Sequence, residues 1–107
     1  MFIPQHEQQI SSYSLVPSPK FTRAQRKILK KNRVRAGELS VTLETLRTHP
    51  YHPFLKTHSL SIPGPDLSAK LYASSVNWMY RILWYFEAGG RIILHDIGPH
   101  SGFNGVY

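Results

Sequence analysis

LYASSVNWMYRILWYFEAGGRIILHDIGPH, residues 71–100, is the stretch of sequence that decides the fold. Two runs rich in aromatic and β-branched residues, Tyr80 to Glu87 and Arg91 to Ile97, are separated by Ala-Gly-Gly. Such runs joined by glycines are typical of a β-hairpin. A further strand is predicted over Leu67 to Val76. RILWYF, residues 81–86, is apolar on both faces, which indicates a central strand covered by helices on one side and partly buried on the other.

Upstream of these strands the apolar residues recur at helical spacing. Phe21, Ala24 and Ile28 predict a first helix, with Ser18 or Thr22 available as its N-cap. A second amphipathic helix is predicted before Pro50 because three leucines repeat at i, i+4 and i+7. These are Leu39, Leu43 and Leu46. The polar break over residues 32–37 makes the two helices an antiparallel hairpin.

Two segments with prolines flank the helices. Tyr13, Leu15 and Val16 can form a short strand, which Pro17 and Pro19 confine to an edge position. THPYHPFLKTHSL, residues 48–60, is predicted to be an extended connector, because its prolines exclude a regular helix. The sequence therefore predicts an α+β fold, with an N-terminal helical hairpin packed on a small antiparallel sheet of about four strands. At 107 residues the chain fits a single domain over residues 13–107, preceded by a flexible tail of residues 1–12.

The charge of the chain is strongly uneven. The formal net charge is +7, and eight of the 13 Lys and Arg residues lie between positions 20 and 35, where no acid occurs. These eight, called the basic segment here, are Lys20, Arg23, Arg26, Lys27, Lys30, Lys31, Arg33 and Arg35. The run is either a solvated helix face or a surface for a polyanion or an acidic protein segment. Self-repulsion among eight like charges disfavours a purely structural role.

Other features of the composition exclude several classes of protein. The chain has no cysteine, which removes disulfides, thiolate metal sites and cysteine nucleophiles. No apolar run approaches the ~20 residues that span a bilayer, and the N-terminus lacks the layout of a signal peptide. We therefore expect a cytoplasmic protein with no membrane partner. The six acids of the chain are too few for a two-metal nuclease.

Two catalytic arrangements near the end of the chain are disfavoured. His95 and Asp96 form a dyad of a kind found in metal-dependent phosphohydrolases, but strict alternation along a strand would point them to opposite faces. Ser101, His100 and Asp96 provide the residue types of a Ser-His-Asp triad without a nucleophile elbow, and neighbouring residues rarely aim side chains at each other.

His58 and His100 are the better candidates, because both lie at the ends of predicted elements. Two histidines beside a phosphodiester can take a proton from a ribose 2′-OH and return one to the leaving 5′ oxygen without a metal. The alternative is that both are ordinary surface residues.

Arg81 is a charged residue within an apolar strand. Its guanidinium group either reaches solvent or Asp96, or it binds a phosphate. Five aromatic rings surround it in sequence, most of them expected in the core and one or two available to stack bases. They are Tyr72, Trp78, Tyr80, Trp84 and Tyr85.

Three segments and the chain end carry a resemblance to a known family. FLKTHSLS, LYASSVNWMYRILWYF, RIILHDIGPH and the closing VY resemble the RelE/ParE superfamily of bacterial toxins, particularly its YafQ-like branch. The resemblance implies two N-terminal helices on a four-stranded antiparallel sheet. It also implies metal-free, ribosome-dependent cleavage of mRNA without a cofactor, silenced by a cognate antitoxin. The partners implied are that antitoxin, the ribosome, mRNA, and operator DNA bound by a toxin–antitoxin hetero-oligomer.

The resemblance also assigns roles to individual residues. His58 and His100 would share proton transfer, Arg81 would stabilise the phosphate, and Tyr107 would orient the RNA. Because SGFNGV lengthens the segment before Tyr107, Phe103 is a second candidate for the stacking ring. Lys56 would assist electrostatically, and the basic segment would dock on ribosomal RNA.

Two departures from the family pattern keep other functions open. Met79 stands where members usually have an acid two residues before the strand arginine, and Ser75 stands before the hairpin turn, where members often have a basic or otherwise polar residue. Both favour a non-catalytic member of the same fold, either a ParE-like gyrase inhibitor or a degenerate toxin that only binds its antitoxin. A third hypothesis is a nucleic-acid-binding protein that uses only the basic segment.

Overall fold

A computed structural model describes residues 12–63 and 69–100 of the protein. The described residues form two α-helices, one short 3-10 helix and five β-strands. The helices are α1 (Pro19–Lys30), α2 (Ala36–Thr48) and the 3-10 turn (Pro53–Leu55), and the strands are β1 (Ser14–Pro17), β2 (His58–Pro63), β3 (Lys70–Ser75), β4 (Tyr80–Glu87) and β5 (Arg91–Pro99). Neither of the two α-helices in these ranges is long and apolar enough to cross a membrane.

The five strands form one mixed sheet in the order β1-β5-β4-β3-β2. The predicted central strand is confirmed, because β4 lies in the middle of the sheet. β1 is an edge strand, as its prolines predicted, but it pairs with β5 in parallel, with Ser14 opposite Arg91. The sheet therefore has one strand more than the expected four and is not wholly antiparallel. The strand that the sequence did not predict is β2, which begins within the supposed connector.

Local interactions of the predicted kind begin and end the helices. α1 begins at Pro19, and the Oγ of Ser18 accepts a hydrogen bond of 3.0 Å from the backbone N–H of Phe21, so Ser18 is the N-cap. α2 ends at Thr48, before Pro50 as predicted. At its start the carboxylate of Glu38 accepts from the backbone N–H of Arg35 at 3.0 Å.

Both helices pack on one face of the sheet. The core residues there are fully or almost fully buried and come from α1, α2 and alternate positions of the strands. They include Phe21, Leu39, Leu46, Ile82, Trp84, Ile92, Leu94 and Ile97. A second, smaller cluster, formed by Leu71, Ala73 and Leu83, lies on the other face of the sheet. Alternation along β3 and β4 explains why neighbouring residues enter different clusters.

The pairing of β4 with β5 contains an irregularity. Leu83 pairs with Asp96 whereas Trp84 pairs with Leu94, so that two residues of β5, His95 and Asp96, stand opposite one residue of β4. This is the register of a β-bulge. The strict alternation that the sequence argument assumed for His95 and Asp96 is therefore interrupted at this pair.

Candidate active site

Arg81 lies on β4 in a row that crosses three strands, with Ser75 opposite on β3 and Gly98 opposite on β5. Its Nη1 donates to the carbonyl oxygens of Asn77 at 2.9 Å and Tyr80 at 3.1 Å. Within residues 12–63 and 69–100, no ion pair joins Arg81 to a carboxylate, and Asp96 instead pairs with Lys20 at 3.4 Å. The two carbonyls hold one edge of the guanidinium, and no carboxylate in the described ranges pairs with its positive charge.

The turn between β3 and β4 is held by one side chain. The Oδ1 of Asn77 accepts from the backbone N–H groups of Met79 at 3.0 Å and Tyr80 at 2.8 Å. Trp78 lies in this turn, directly after Asn77, and 82% of its surface is exposed. Of the five rings that the sequence placed near Arg81, Trp84 and Tyr80 are buried and Trp78 is the one that is exposed.

His100 directly follows β5 and lies beside this turn. Its backbone N–H donates to the carbonyl oxygen of Met79 at 2.8 Å. Trp78, Met79, Pro99 and His100 line a shallow depression of about 240 Å³. The structure thus brings His100 and an exposed indole together. The signal for Trp78 in the sequence was its place directly after Asn77, a residue typical of turns, where strand alternation no longer keeps a ring in the core.

His58 lies at the opposite side of the same sheet. It is the first residue of the edge strand β2, where it is exposed and pairs with Ala73 of β3. Its Nδ1 lies 3.1 Å from the carbonyl oxygen of Lys56. Three strand spacings separate β2 from β5, so the Cα atoms of His58 and His100 are at least about 14 Å apart. Arg81 lies between the two histidines, which therefore flank the arginine from either side.

The basic segment is exposed throughout its length. Six of its residues lie on α1 or at its end, and no acid occupies the first turn of this helix. In the part of the chain that the structure describes, only Lys20 of this set forms an ion pair, with Asp96. Lys56 is also exposed and adopts a left-handed conformation with a φ of 50° directly before β2. The remaining predicted site residues, Phe103 and Tyr107, lie outside the described residues.

His95 is half-buried on β5. Its backbone carbonyl accepts from the Oγ of Ser18 at 3.0 Å, and its ring lies against Tyr85. Burial lowers the pKa of His95 below its ordinary value, and the neighbouring charge of Lys20 lowers it further, whereas Asp96 opposes the shift. The lowered pKa favours the neutral form of His95, whose ring contacts Tyr85 of β4.

Comparison with solved structures identifies the fold. The chain is similar to the YafQ toxin of Escherichia coli in the DinJ-YafQ toxin–antitoxin complex, with a TM-score of 0.64 and 14% identity over 82% of this chain and 92% of that one. YafQ from strain BL21(DE3) gives a TM-score of 0.63 at 15% identity, covering 81% of this chain and 92% of that one. A metal-bound toxin from Helicobacter pylori gives 0.62 at 19% identity, covering 82% and 94% of the two chains.

Comparisons at the level of sequence gave no match, either to a protein-family model or to a curated protein.

The similarity to solved structures shows that the protein has a YafQ/RelE-like toxin fold, with two helices packed on one sheet. This confirms the fold that the sequence resemblance implied.

Proposed function

We propose that this protein is the toxin of a type II toxin–antitoxin system and that it cleaves mRNA on the ribosome without a metal ion. The observation that carries the proposal is the placement of His100, exposed Trp78 and Arg81 around one end of the sheet in a YafQ-like fold. These residues supply a proton-transfer group, a stacking surface and a positive charge. A proton-transfer group and a positive charge each promote cleavage of an RNA phosphodiester, and a stacking surface positions the base beside it.

In this proposal Arg81 binds the phosphate at which the chain is cut. Its Nη1 is occupied by the carbonyls of Asn77 and Tyr80, while the N–H groups on Nη2 and Nε remain for phosphate oxygens. The charge that builds on the phosphate in the transition state would face a guanidinium held in place before the substrate arrives. No acid pairs with Arg81 among the described residues, so its charge is not neutralised there.

His100 is the proposed proton-transfer residue nearest to that phosphate. It follows Gly98, the residue of β5 that pairs with Arg81, by two positions. Trp78 would stack on the base next to the cut, because its indole is 82% exposed beside His100. His58, on the far side of Arg81, would contact the same phosphate or the next one, assisted by Lys56.

The basic segment would dock the toxin on ribosomal RNA. Its side chains are exposed, and apart from Lys20 they are free of ion pairs within the described ranges. Contacts of this type to phosphates predict that the affinity for RNA falls steeply as the salt concentration is raised.

We further propose that a cognate antitoxin covers the basic segment with an acidic segment of its own. The toxin and antitoxin would form a hetero-oligomer that binds operator DNA, and the protein would be cytoplasmic. YafQ itself is found in a complex with the antitoxin DinJ.

One observation favours a second candidate, a non-catalytic member of the fold. Met79 lines the depression beside His100, so the turn supplies a thioether at a position where the resemblance leads one to expect an acid. A ParE-like gyrase inhibitor, or a toxin that only engages its antitoxin, would not need a carboxylate there.

Primer extension on a defined mRNA translated in vitro, with the purified protein added, distinguishes these functions. A parallel incubation of the free transcript contains EDTA. New cleavage sites on the translated message alone, lost in His100→Ala, are the expected result. Intact message with blocked translation would indicate a binding protein, and intact message with normal translation would favour the gyrase or antitoxin-only alternative.

A further inference from the structure

A second group of exposed rings lies outside the candidate active site, in the connection between α2 and β2. Residues 49–54, called the aromatic loop here, contain two histidines, a tyrosine and a phenylalanine. Tyr51 and Phe54 are 62% and 56% exposed, and both histidines are exposed as well. The rings of His49 and His52 have centroids 6.4 Å apart, and that of Phe54 lies 6.3 Å from His52. Large exposed rings grouped in this way indicate a contact surface.

The hydrogen bonds of the two histidines favour opposite neutral tautomers. The backbone N–H of Phe54 donates to Nδ1 of His52 at 3.0 Å, so a neutral His52 carries its proton on Nε2. The hydroxyl of Thr48 donates to the carbonyl of Glu44 at 3.0 Å and therefore accepts from Nδ1 of His49 at 3.1 Å. A neutral His49 thus has its lone pair on Nε2. The loop presents one imidazole acceptor and one imidazole donor side by side.

Hydrogen bonds anchor the aromatic loop to the sheet. Pro50 is buried, and its carbonyl accepts from the Oγ1 of Thr57 at 2.6 Å. That hydroxyl is also bonded to the Oγ of Ser74 at 2.6 Å, which in turn accepts from the indole N–H of Trp84 at 2.8 Å. Binding to a surface anchored in this way costs little conformational entropy.

Tyr51 packs against neighbouring rings although 62% of its surface is exposed. Its ring packs against Tyr72, with centroids 6.1 Å apart, and against Phe86. Burial of the hydroxyl and its hydrogen bond with Tyr72 raise the pKa of Tyr51 to about 12, so that it remains neutral at physiological pH. The exposed part of the ring is an uncharged, oriented stacking surface.

We propose that the aromatic loop binds a nucleobase of single-stranded RNA, stacked on Phe54 and hydrogen-bonded to His49 and His52. Unpaired bases present a donor and an acceptor side by side on their edges, and proteins stack such bases on Phe, Tyr and His rings. The loop suits a polyanion, because no acid occurs from position 45 to position 65 and Lys56 is exposed two residues after the loop. The choice of RNA over a protein ligand rests on the proposed function.

The test is fluorescence anisotropy with a labelled single-stranded RNA of about ten nucleotides, a length that spans several bases. The free protein is used, without ribosomes, and a duplex of the same length serves as the comparison ligand. Phe54→Leu keeps the apolar side chain but removes the ring, and His49→Ala removes the acceptor. Val41→Ala, at an apolar position of α2 that is 55% exposed, is the matched control. Urea unfolding verifies that each variant is folded.

We expect Phe54→Leu to weaken binding of the single strand by about 5- to 100-fold, the range associated with loss of one base–aromatic stack. His49→Ala should weaken it by a smaller factor, and Val41→Ala should have no effect. Because stacking is not ionic, the ratio of wild-type to Phe54→Leu affinity should persist when salt is raised. The duplex, whose bases are already stacked, should show no difference between the two proteins.

Imidazole ¹⁵N spectra provide an independent readout in the same samples. They should show the Nδ1–H tautomer for His49 and the Nε2–H tautomer for His52, and both signals should shift when the single strand is added. Wild-type affinity in Phe54→Leu, or histidine signals that RNA leaves unmoved, would overturn the proposal and leave a protein ligand as the occupant of the loop. Translation-dependent cleavage is scored separately, so a binding loop on a non-cleaving protein would refute only the proposed function.

Discussion

The backbone N–H of His100 donates a 2.8 Å hydrogen bond to the carbonyl oxygen of Met79. This bond joins the end of β5 to the turn that carries Trp78, and the imidazole and the indole consequently border one depression. Because the contact is made by backbone atoms, it survives changes to either side chain. Substitutions at His100 and Trp78 should therefore alter chemistry and binding without altering the fold.

Replacing His100 with alanine should reduce translation-dependent mRNA cleavage by about 100-fold or more, since proton transfer by one positioned side chain contributes at least that factor. The free energy of unfolding should change by less than about 0.5 kcal/mol, because the side chain is exposed. Primer extension and urea denaturation measure the two effects. Cleavage at the wild-type rate would remove His100 from the mechanism.

Trp78→Ala should weaken productive RNA binding by about 5- to 100-fold, as expected for loss of one stacked base. Trp78→Phe keeps an aromatic face and should recover most of the loss. With 82% of its surface exposed, Trp78 contributes little to the core, and neither variant should unfold more readily than the wild type. The dependence of the cleavage rate on mRNA concentration measures the effect of each variant on RNA binding. Equal behaviour of the alanine and phenylalanine variants would contradict a stacking role.

Asn77→Ala should lower both stability and cleavage. The substitution removes the acceptor for the backbone N–H groups of Met79 and Tyr80, at a cost of about 1–2 kcal/mol. The loosened turn also carries the carbonyl that holds the guanidinium of Arg81. Asn77→Asp retains an acceptor and serves as the control, which should restore stability. If the alanine variant were as stable and as active as the wild type, the turn would not depend on this side chain.

Ser74→Ala should destabilise the fold by about 1–3 kcal/mol, because the buried indole N–H of Trp84 loses its acceptor. The same hydroxyl is bonded to Thr57, which ties the start of β2 to the sheet. Ser59→Ala, at an exposed position of β2, is the matched control and should change stability by less than about 0.5 kcal/mol. Urea denaturation of the two variants and the wild type measures these changes. Equal unfolding midpoints for Ser74→Ala and the wild type would refute the prediction.

The stability of the fold should fall when the pH is lowered through the titration range of His95. Its pKa is lower in the folded protein than in the unfolded chain, so below about pH 6.5 the unfolded chain takes up a proton that the folded state does not. The contribution of His95 is thus present above that pH and lost below it. His95→Gln should flatten the dependence of the unfolding free energy on pH between about 7.5 and 5.5. A slope equal to that of wild type would assign the effect to other groups.

The sequence predicted the structural elements that depend on residues close together in the chain. The Ser18 cap needs only the next three residues, and the β4–β5 turn needs only two glycines, which have φ angles of 87° and 72°. RILWYF predicted the middle of the sheet because a strand buried on both faces has few polar residues. By contrast, β2 begins only three residues after the 3-10 turn. The prolines around β2 led the sequence analysis to predict a connector and not a strand. The parallel pairing of β1 depends on residues almost 80 positions away, as the Ser18–His95 contact shows.

The sequence proposed the residue types of the candidate site but could not provide their geometry. His58 and His100 lie at strand ends in the sequence, but their separation depends on the order of the strands, which no local pattern encodes. Trp78 could not be distinguished from the core rings of its neighbours until the turn at Asn77 was placed. The bulge at His95 and Asp96 arises from the register of β4 against β5, so alternation counted along β5 alone gave the wrong relationship between these two side chains.

The position of β5 in the sheet sets the order in which the protein can fold during synthesis. β5 is made after the other four strands, but it lies between β1 and β4, so β1 cannot join the sheet until β5 has emerged. α1 is subject to the same delay, because its N-cap Ser18 is bonded to the backbone of Leu94 and His95. Contacts this distant in sequence form late and slowly. A nascent chain thus acquires the docked α1 and the placement of His100 only when β5 joins the sheet, and both are incomplete until then.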